Sequence, residues 1–309
     1  MRPYIRRIVG LTATPASNGL LDLWAEVTLI DKGERFGRYI GRYRESYFRP
    51  ASMDPRTGIV YSYELLPGAE EKIYERISDI AVSMKATDHL KMPELITNCY
   101  EVEMSEQEEK TYSELKKDLV LDLPEGEITA ANAAVLTGKL LQLSGGAIYT
   151  DDGETVVIHD RKLDALEDIV ESMNGKPLLV VYWFRHDIER IEERLSVMGV
   201  RFSRLDSNES ITRWNEGKIQ VALANPQSTA HGLNLQESCN TICWYSPIWS
   251  LELYQQMNGR IFRQGQKEKT VVITHIITKG TVDERVMKAL EHKDRIQDAL
   301  LEAVKAELI

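Results

Sequence analysis

Three cysteines in 309 residues, Cys99, Cys239 and Cys243, are too few and too scattered for a disulfide framework, which points to a reducing cytosol. No stretch approaches the ~18 consecutive apolar residues that a membrane-spanning helix needs, so no membrane partner is expected. The start, Met1-Arg-Pro-Tyr-Ile-Arg-Arg, carries charge but has no apolar run behind it, which is not the build of a signal peptide. Positive charge is in the minority. With 38 Lys and Arg against 48 Asp and Glu, the net charge of −10 excludes an all-over cationic coat for nucleic acid, while leaving room for a locally basic cleft. Two phosphate-binding signatures are also missing. No G-x-x-x-x-G-K-[ST] occurs, since Gly138-Lys139-Leu140 and Gly175-Lys176-Pro177 lack both the upstream Gly and the hydroxyl. No Gly-rich fingerprint follows a first strand, which excludes a dinucleotide-binding enzyme. Cys239 and Cys243 could share a helix face with His231 nearby in sequence, but the neighbourhood offers no fourth zinc ligand, so no metal site is expected.

What is present fits a two-domain globular chain: 43% hydrophobic and 28% charged residues, with enough length for a sizeable core. The segment 1–30 reads as the end of something, with a β-like run Arg6–Leu11, a turn at Thr12-Ala-Thr-Pro15, and a helix from about Gly19 to Ile30. In that helix Leu20, Leu23, Trp24, Val27 and Ile30 fall at helical spacing. From 31 to 154 helical patterns dominate, punctuated by prolines, and Ser105 with Glu108 forms a capping box for a charged helix. Ala130–Leu143 is a further helix, stopped by Ser144-Gly-Gly146. From 155 to 309 apolar runs alternate with amphipathic helices. The runs Pro177–Tyr182, Val200–Leu205, Ile219–Ala224, Thr241–Tyr245 and Thr270–Ile277 predict a parallel sheet covered on both faces, an α/β architecture preceded by a mainly helical insertion and linker. A terminal helix opens at Thr281-Val-Asp-Glu284 with a second capping box.

The run Gln256-Met-Asn-Gly-Arg260-Ile-Phe-Arg263-Gln-Gly-Gln266 carries the most chemistry. On a helical turn residues i and i+3 share a face, so Arg260 and Arg263 can aim at one anion, and arginine grips phosphate through a planar fork. The run resembles motif VI of superfamily 2 motors in the form typical of SNF2-like helicases and translocases. Gln227-Ser-Thr-Ala-His-Gly-Leu-Asn-Leu-Gln236, directly after the Ile219 strand, is similar to motif V of the same family. His231 stands where eukaryotic remodellers usually have a small residue, as in phage and bacterial members. Leu178–Phe184 has the position of motif IV, and Gly10-Leu-Thr12-Ala-Thr14-Pro15 resembles motif III. Lys91–Leu95 resembles the linker between lobes, and Gly280–Glu284 with Lys293 resembles the C-terminal brace.

The resemblance implies a RecA-like second motor lobe over 155–309 with a brace helix, a helical SNF2-type insertion and linker over 31–154, and the remnant of a first lobe over 1–30. It implies ATP contacts by Gln256, Gly232, Asn234, Arg260 and Arg263, with the two arginines as fingers on the phosphates. DNA contacts would come from Ser228, Thr229, His231, Tyr182 and Arg185, and coupling between lobes from Thr12 and Thr14. ATP and Mg would be held mainly by a first lobe that this sequence does not contain, so the chain is expected to be a C-terminal fragment or split gene product, cytoplasmic, with Met1 an internal start and no hydrolysis by itself. The alternative is a non-enzymatic DNA- or protein-binding module derived from a motor lobe.

One segment is informative without a motif. Arg35–Arg49 holds five arginines against one glutamate. Phe36, Tyr39, Tyr43 and Tyr47 fall on one helical stripe and are expected to pack in a core, while the arginines could follow a phosphate backbone.

Overall fold

The computed structural model describes residues 5, 7–12, 15–16, 19–54, 57–82, 90–121, 130–150, 152–229 and 234–303. Two compact units divide the chain: 1–89 with 290–309, and 90–289. These divisions differ from the expected 30/31 and 154/155 boundaries.

In the first unit a 3-10 turn, Leu20–Asp22, leads into α1 (Leu23–Asp31), as the apolar spacing requires. Lys32, in the left-handed region at φ 62°, ends the helix. Helix α2 (Ile40–Tyr47) follows, then a hairpin of β1 (Phe48–Met53) and β2 (Val60–Leu65), then α3 (Ala69–Ile77). The core gathers Leu20, Leu23, Val27, Phe36, Tyr43, Tyr47, Ile73 and Ile77. Tyr43 is fully buried, packs tilted against Phe36 with ring centroids 4.6 Å apart, and donates its hydroxyl to the Leu20 carbonyl at 2.8 Å. Tyr39 departs from its expected stripe and is 81% exposed, because it sits just before α2 with extended backbone (φ −122°, ψ 133°). The expected strand Arg6–Leu11 is not formed in its described residues, and Val9 and Leu11 are exposed. A lone strand has no ladder to satisfy its backbone groups.

The second unit is built on a six-stranded parallel sheet. Its elements in chain order are β3 (Glu94–Val102), α4 (Glu106–Leu121), α5 (Ala130–Ser144), the small hairpin β4 (Ala147–Tyr149) and β5 (Thr155–Val157), α6 (Arg161–Ser172), β6 (Leu178–Val181), α7 (Arg185–Val197), β7 (Phe202–Arg204), α8 (Asn208–Asn215), β8 (Val221–Ala224), α9 (Pro226–Thr229), β9 (Thr241–Trp244), α10 (Leu251–Asn258), β10 (Thr270–Thr278) and α11 (Val282–Ala303), whose stretch from Leu290 belongs to the first unit. The sheet order is β3-β10-β9-β6-β8-β7. All four side chains of β6 are fully buried, and they alternate between two cores. Leu178 and Val180 pack with Leu166 and Val170 of α6 and Ile191 and Leu195 of α7. Leu179 and Val181 pack with Trp214 of α8, Met257 of α10 and Ile261. Burial on both faces is why this strand reads as an unbroken apolar run. Each such side chain contributes roughly 1.5–3 kcal/mol.

The five strands expected after residue 155 are those observed. The 31–154 stretch is richer in helix than in strand, as expected, but it also contains β1, β2 and β4, and β3 pairs in parallel with β10 from Glu94↔Thr270 to Val102↔Thr278. Every β3 residue but Val102 is exposed, so the edge strand has no alternation from which it could be read. The Ser105 capping box forms, with Glu108 accepting from the Ser105 amide at 2.6 Å and the Glu108 amide donating to Ser105 Oγ at 3.4 Å. The one expected at Thr281 does not: Glu284 accepts from the Gly280 amide at 3.0 Å, and the Thr281 hydroxyl accepts from the Asp283 amide at 3.3 Å. The stop after α5 has a steric cause as well: Gly146 sits at φ 91°, and a Cβ there would lie 2.1 Å from the His159 carbonyl oxygen. Cys239 and Cys243 do not share a helix face. Cys239 precedes β9 and joins one core, Cys243 lies inside β9 and joins the other, and burial pushes both thiols up to about 12.

A buried ion pair ties the second unit together. Lys162 Nζ lies 2.6 Å from Asp283 Oδ2, with side chains 1% and 0% exposed. Asp283 also accepts from Ser144 Oγ at 2.6 Å and from the Thr278 amide at 3.0 Å, and Lys162 donates to the Tyr245 carbonyl at 3.2 Å. Removing one member strands the other charge, which costs about 3–5 kcal/mol. Lys162→Met is therefore expected to lower the stability of the second unit by that amount, read from urea unfolding followed by tryptophan fluorescence; a loss below about 1 kcal/mol would mean the pair is relieved by solvent.

Two buried histidines give stability a pH dependence. Burial pushes His159 and His275 down to about 4, against 6.5 for an exposed imidazole. The unfolded chain then binds more protons than the folded one between those values, so stability is fully present above pH 6.5 and is lost as pH falls toward 4. The urea midpoint is expected to drop between pH 7 and pH 5; an unchanged midpoint would contradict neutral burial of the two rings.

Candidate functional site

In an open parallel sheet the chain leaves strands at their C-terminal ends, and ligands bind in the crevice where strand order reverses. Here β6 is that point, with β8 and β7 on one side and β9 and β10 on the other. The segments leaving β6 and β8 carry the residues of the expected motifs IV and V, and they are joined: Asn225 Nδ2 donates to the Trp183 carbonyl at 3.2 Å. Tyr182 is half-buried, and burial raises its phenol, which stays protonated and able to donate. Arg185 opens α7 and is 85% exposed, with its guanidinium 3.0 Å from Glu189. Ser228 is exposed, its hydroxyl donating to the Asn225 carbonyl at 3.2 Å. Thr229 differs from expectation. It is 1% exposed and its hydroxyl donates inward to the same carbonyl at 2.7 Å, the back-bond a Thr makes at the end of a short helix. His231 and Gly232 lie outside the described residues, as does Thr14. Thr12 is described and exposed, and it belongs to the first unit, where it lines an apolar cavity of about 340 Å³ with Leu11, Val27 and Ile30.

The arginine run begins on α10 but leaves it. The helix ends at Asn258, so Arg260 and Arg263 stand on consecutive turns rather than on one helical face: Arg260 N bonds to the Met257 carbonyl, and Gln266 N to the Arg263 carbonyl. The run is held by its neighbours. Trp244 Nε1 donates to Asn258 Oδ1 at 2.9 Å, Tyr254 meets His275 Nε2 at 3.1 Å, and Gln266 Nε2 donates to the Cys239 carbonyl at 2.9 Å. Ile261, fully buried, anchors the turn between the two arginines. Met257, Ile261 and Trp244 belong to one core, so the apolar residues between the polar ones fix the direction of the arginines.

The structure brings motifs V and VI into contact through Arg263, whose Nη1 donates to Asn234 Oδ1 at 2.9 Å. One of five guanidinium donors is thereby spent on orientation. Arg260 is half-buried, and its pKa is lowered, first by burial and then by the charge of Arg263. Two cations held close enough to oppose each other, one of them partly desolvated, favour an anion between them. Gln256 is half-buried and donates to Glu252 Oε1 at 3.0 Å, one turn back along α10. Sequence reasoning quoted Gln266 as the end of the motif VI run without giving it a role, and did not single out Asn225, which joins the two loops; nothing in the local pattern of Asn225 distinguishes it from other loop amides. Among the described residues no group of three or more His, Cys, Asp or Glu side chains is placed to hold a metal ion.

Comparison with known proteins agrees with this geometry. Residues 161–265 match the family described as the helicase conserved C-terminal domain. Protein p41 of the Acyrthosiphon pisum secondary endosymbiont phage 1 is 40% identical over 308 residues, covering 97% of this chain and 65% of that protein. The chromatin-remodeling ATPase INO80 of Mycosarcoma maydis is 24% identical over 195 residues, covering 60% of this chain and 10% of the ATPase. The C-terminal part of the Fun30 ATPase domain shares the fold, at a TM-score of 0.52 and 15% identity, covering 69% of this chain and 98% of that one. The chain thus spans only part of the length of the curated relatives it matches. Its parallel sheet with helices on both faces has the fold of a RecA-like C-terminal lobe, residues 161–265 carry a helicase conserved C-terminal domain, and the chain is similar to SNF2-like ATPases over that part, in a form akin to a phage protein.

Proposed function

We propose that this chain supplies the second lobe of an ATP-dependent DNA helicase or translocase, with Arg260 and Arg263 as fingers on the phosphates of ATP and the loops after β6 and β8 as the grip on DNA. The observation that carries the reading is the Arg263–Asn234 contact at 2.9 Å beside a half-buried Arg260. In phosphoryl transfer negative charge spreads over the transferred oxygens, and a positioned guanidinium stabilises it. Asn234 holds the Arg263 fork from one side, so its remaining donors face the anion without reorganising. Arg260, already disfavoured as a cation by burial and by Arg263, gains most from the same anion. Gln256 links this pair to the cleft once its amide exchanges Glu252 for the nucleotide.

DNA contact falls to Ser228, Tyr182 and Arg185, which sit on the segments leaving the switch-point strands. A hydroxyl, a phenol and a guanidinium at strand ends suit phosphate and sugar oxygens, which position a strand without reading its sequence. Thr229 serves from inside, by shaping the turn. Thr12, in the first unit, takes the coupling role together with Thr14. Among the described residues no group of three or more His, Cys, Asp or Glu side chains is placed to hold magnesium. The rest of the nucleotide site, a phosphate loop and acidic strand, is assigned to a first lobe acting with this chain.

Two measurements test the reading. The purified 309-residue chain is expected to show no DNA-stimulated ATP hydrolysis, since its sequence has no G-x-x-x-x-G-K-[ST]; measurable turnover would sink the division of labour. In a motor completed with a first lobe, Arg263→Ala is expected to lower the hydrolysis rate by ~10³-fold or more. Arg263→Lys should rescue little, because a point charge lacks the planar fork. A loss of tenfold or less would place Arg263 on the surface instead of at the phosphate.

A further inference from the structure

The basic run of the first unit sorts its five arginines into two kinds. Arg35 is consumed by carboxylates, 2.6 Å from Asp79 and 3.4 Å from Asp31. Arg44 lies over the Tyr63 ring at 4.8 Å, and Arg49 is 2.7 Å from Glu64. Arg38 and Arg42 are exposed, and no carboxylate among the described residues pairs with either. Between them in sequence stands Tyr39, 81% exposed, whose stripe-mates Tyr43 and Tyr47 are buried.

The local backbone places these three residues around one turn. Asp31 accepts from the Gly33 amide at 2.8 Å and the Arg35 amide at 2.9 Å, which closes the loop after α1. Trp24 Nε1 donates to the Gly37 carbonyl at 3.0 Å and pins the next turn. Gly37 has φ 85°, and a Cβ there would lie 3.1 Å from Arg42 Cδ. The Arg42 stem therefore crosses the turn directly before Arg38 and Tyr39. A side chain at 37 would push it away.

We propose that Arg38, Tyr39 and Arg42 form a binding patch for single-stranded DNA, with the two guanidiniums on successive phosphates and the tyrosine ring stacked on an unpaired base. Two exposed arginines four residues apart, neither paired with a carboxylate among the described residues, favour a polyanion. An open aromatic face between them narrows the choice. Stacking needs a base outside the duplex, and only an unpaired strand offers one. The patch lies in the first unit, outside the matched helicase C-terminal region at 161–265, so it is a second grip beyond that assigned to the motor lobe. The inference rests on the motor reading only for the choice of DNA among polyanions.

Fluorescence anisotropy of the full chain with a labelled 20-nucleotide oligo-dT and with a 20-base-pair duplex, at several salt concentrations, tests it. Arg38→Gln with Arg42→Gln is expected to weaken oligo-dT binding about tenfold or more at low salt. It should also reduce the slope of log K against log salt by ~1.4, about 0.7 per lost phosphate contact. Tyr39→Ala is expected to weaken oligo-dT binding about fivefold or more and to leave duplex binding unchanged. All three side chains are exposed, so an unchanged melting temperature is expected. Wild-type affinity and slope in these variants would overturn the patch, as would a wild-type chain that does not bind oligo-dT. Equal weakening on phosphatidylserine vesicles, with no preference for oligo-dT, would overturn it as well. Arg185→Ala with Ser228→Ala reports separately on the grip of the motor lobe. If that variant alone loses DNA, the patch fails and the motor reading stands; if only the Arg38 and Arg42 variant loses it, the reverse holds.

Discussion

The second unit depends on one buried contact, the 2.6 Å pair between Lys162 at the start of α6 and Asp283 at the start of α11. Neither charge reaches water, and the pair is tolerated because every nearby dipole is recruited to it. Ser144 at the end of α5, the Thr278 amide at the end of β10, and the Tyr245 carbonyl after β9 all point at the two groups. Five elements distant in sequence thus meet at a single electrostatic knot. A buried pair of this kind adds little net stability over an apolar replacement, while any arrangement that separates the partners strands a charge. The paired arrangement sets where β9 and β10 end, and so where the loops beyond the sheet begin.

The polar loops are held by the same division between apolar filling and a few directed bonds. Around the arginine run, Met257 and Ile261 fill the core beneath, while Trp244, Asn258, Gln266 and Cys239 supply the bonds that stop the turns from sliding. Arg260 and Arg263 are left close together and partly desolvated, an arrangement that is poor for the isolated chain and good for an anion. In the first unit the logic is similar on a smaller scale. The aromatic core of Phe36, Tyr43 and Tyr47 consumes the stripe, while the extended backbone at Tyr39 leaves its ring exposed, with Arg38 and Arg42 nearby in sequence.

Much of this was legible before any coordinates. Strands such as Leu178–Val181 announce themselves because burial on both faces demands four apolar residues in a row, and the capping box of Ser105 with Glu108 because the two satisfy each other locally. The edge strand Glu94–Val102 was not legible. It is exposed along nearly its whole length, and its place is set by pairing with a strand some 176 residues further on. The inward placement of the Thr229 hydroxyl was not legible for a related reason. A hydroxyl in a loop motif has no sequence mark that says whether it faces solvent or its own helix.

The sequence by itself determined the parallel sheet, the helices that cover it, and the identity of the arginines, because periodicity and residue chemistry are local properties. Only the tertiary structure decided that Arg263 leans on Asn234, that Arg260 is half-buried beside it, and that Arg38 and Arg42 are spared the carboxylates that claim Arg35 and Arg49. Those outcomes turn on which side chains meet across long stretches of chain. Such meetings depend on packing and the removal of water, and no local pattern records them.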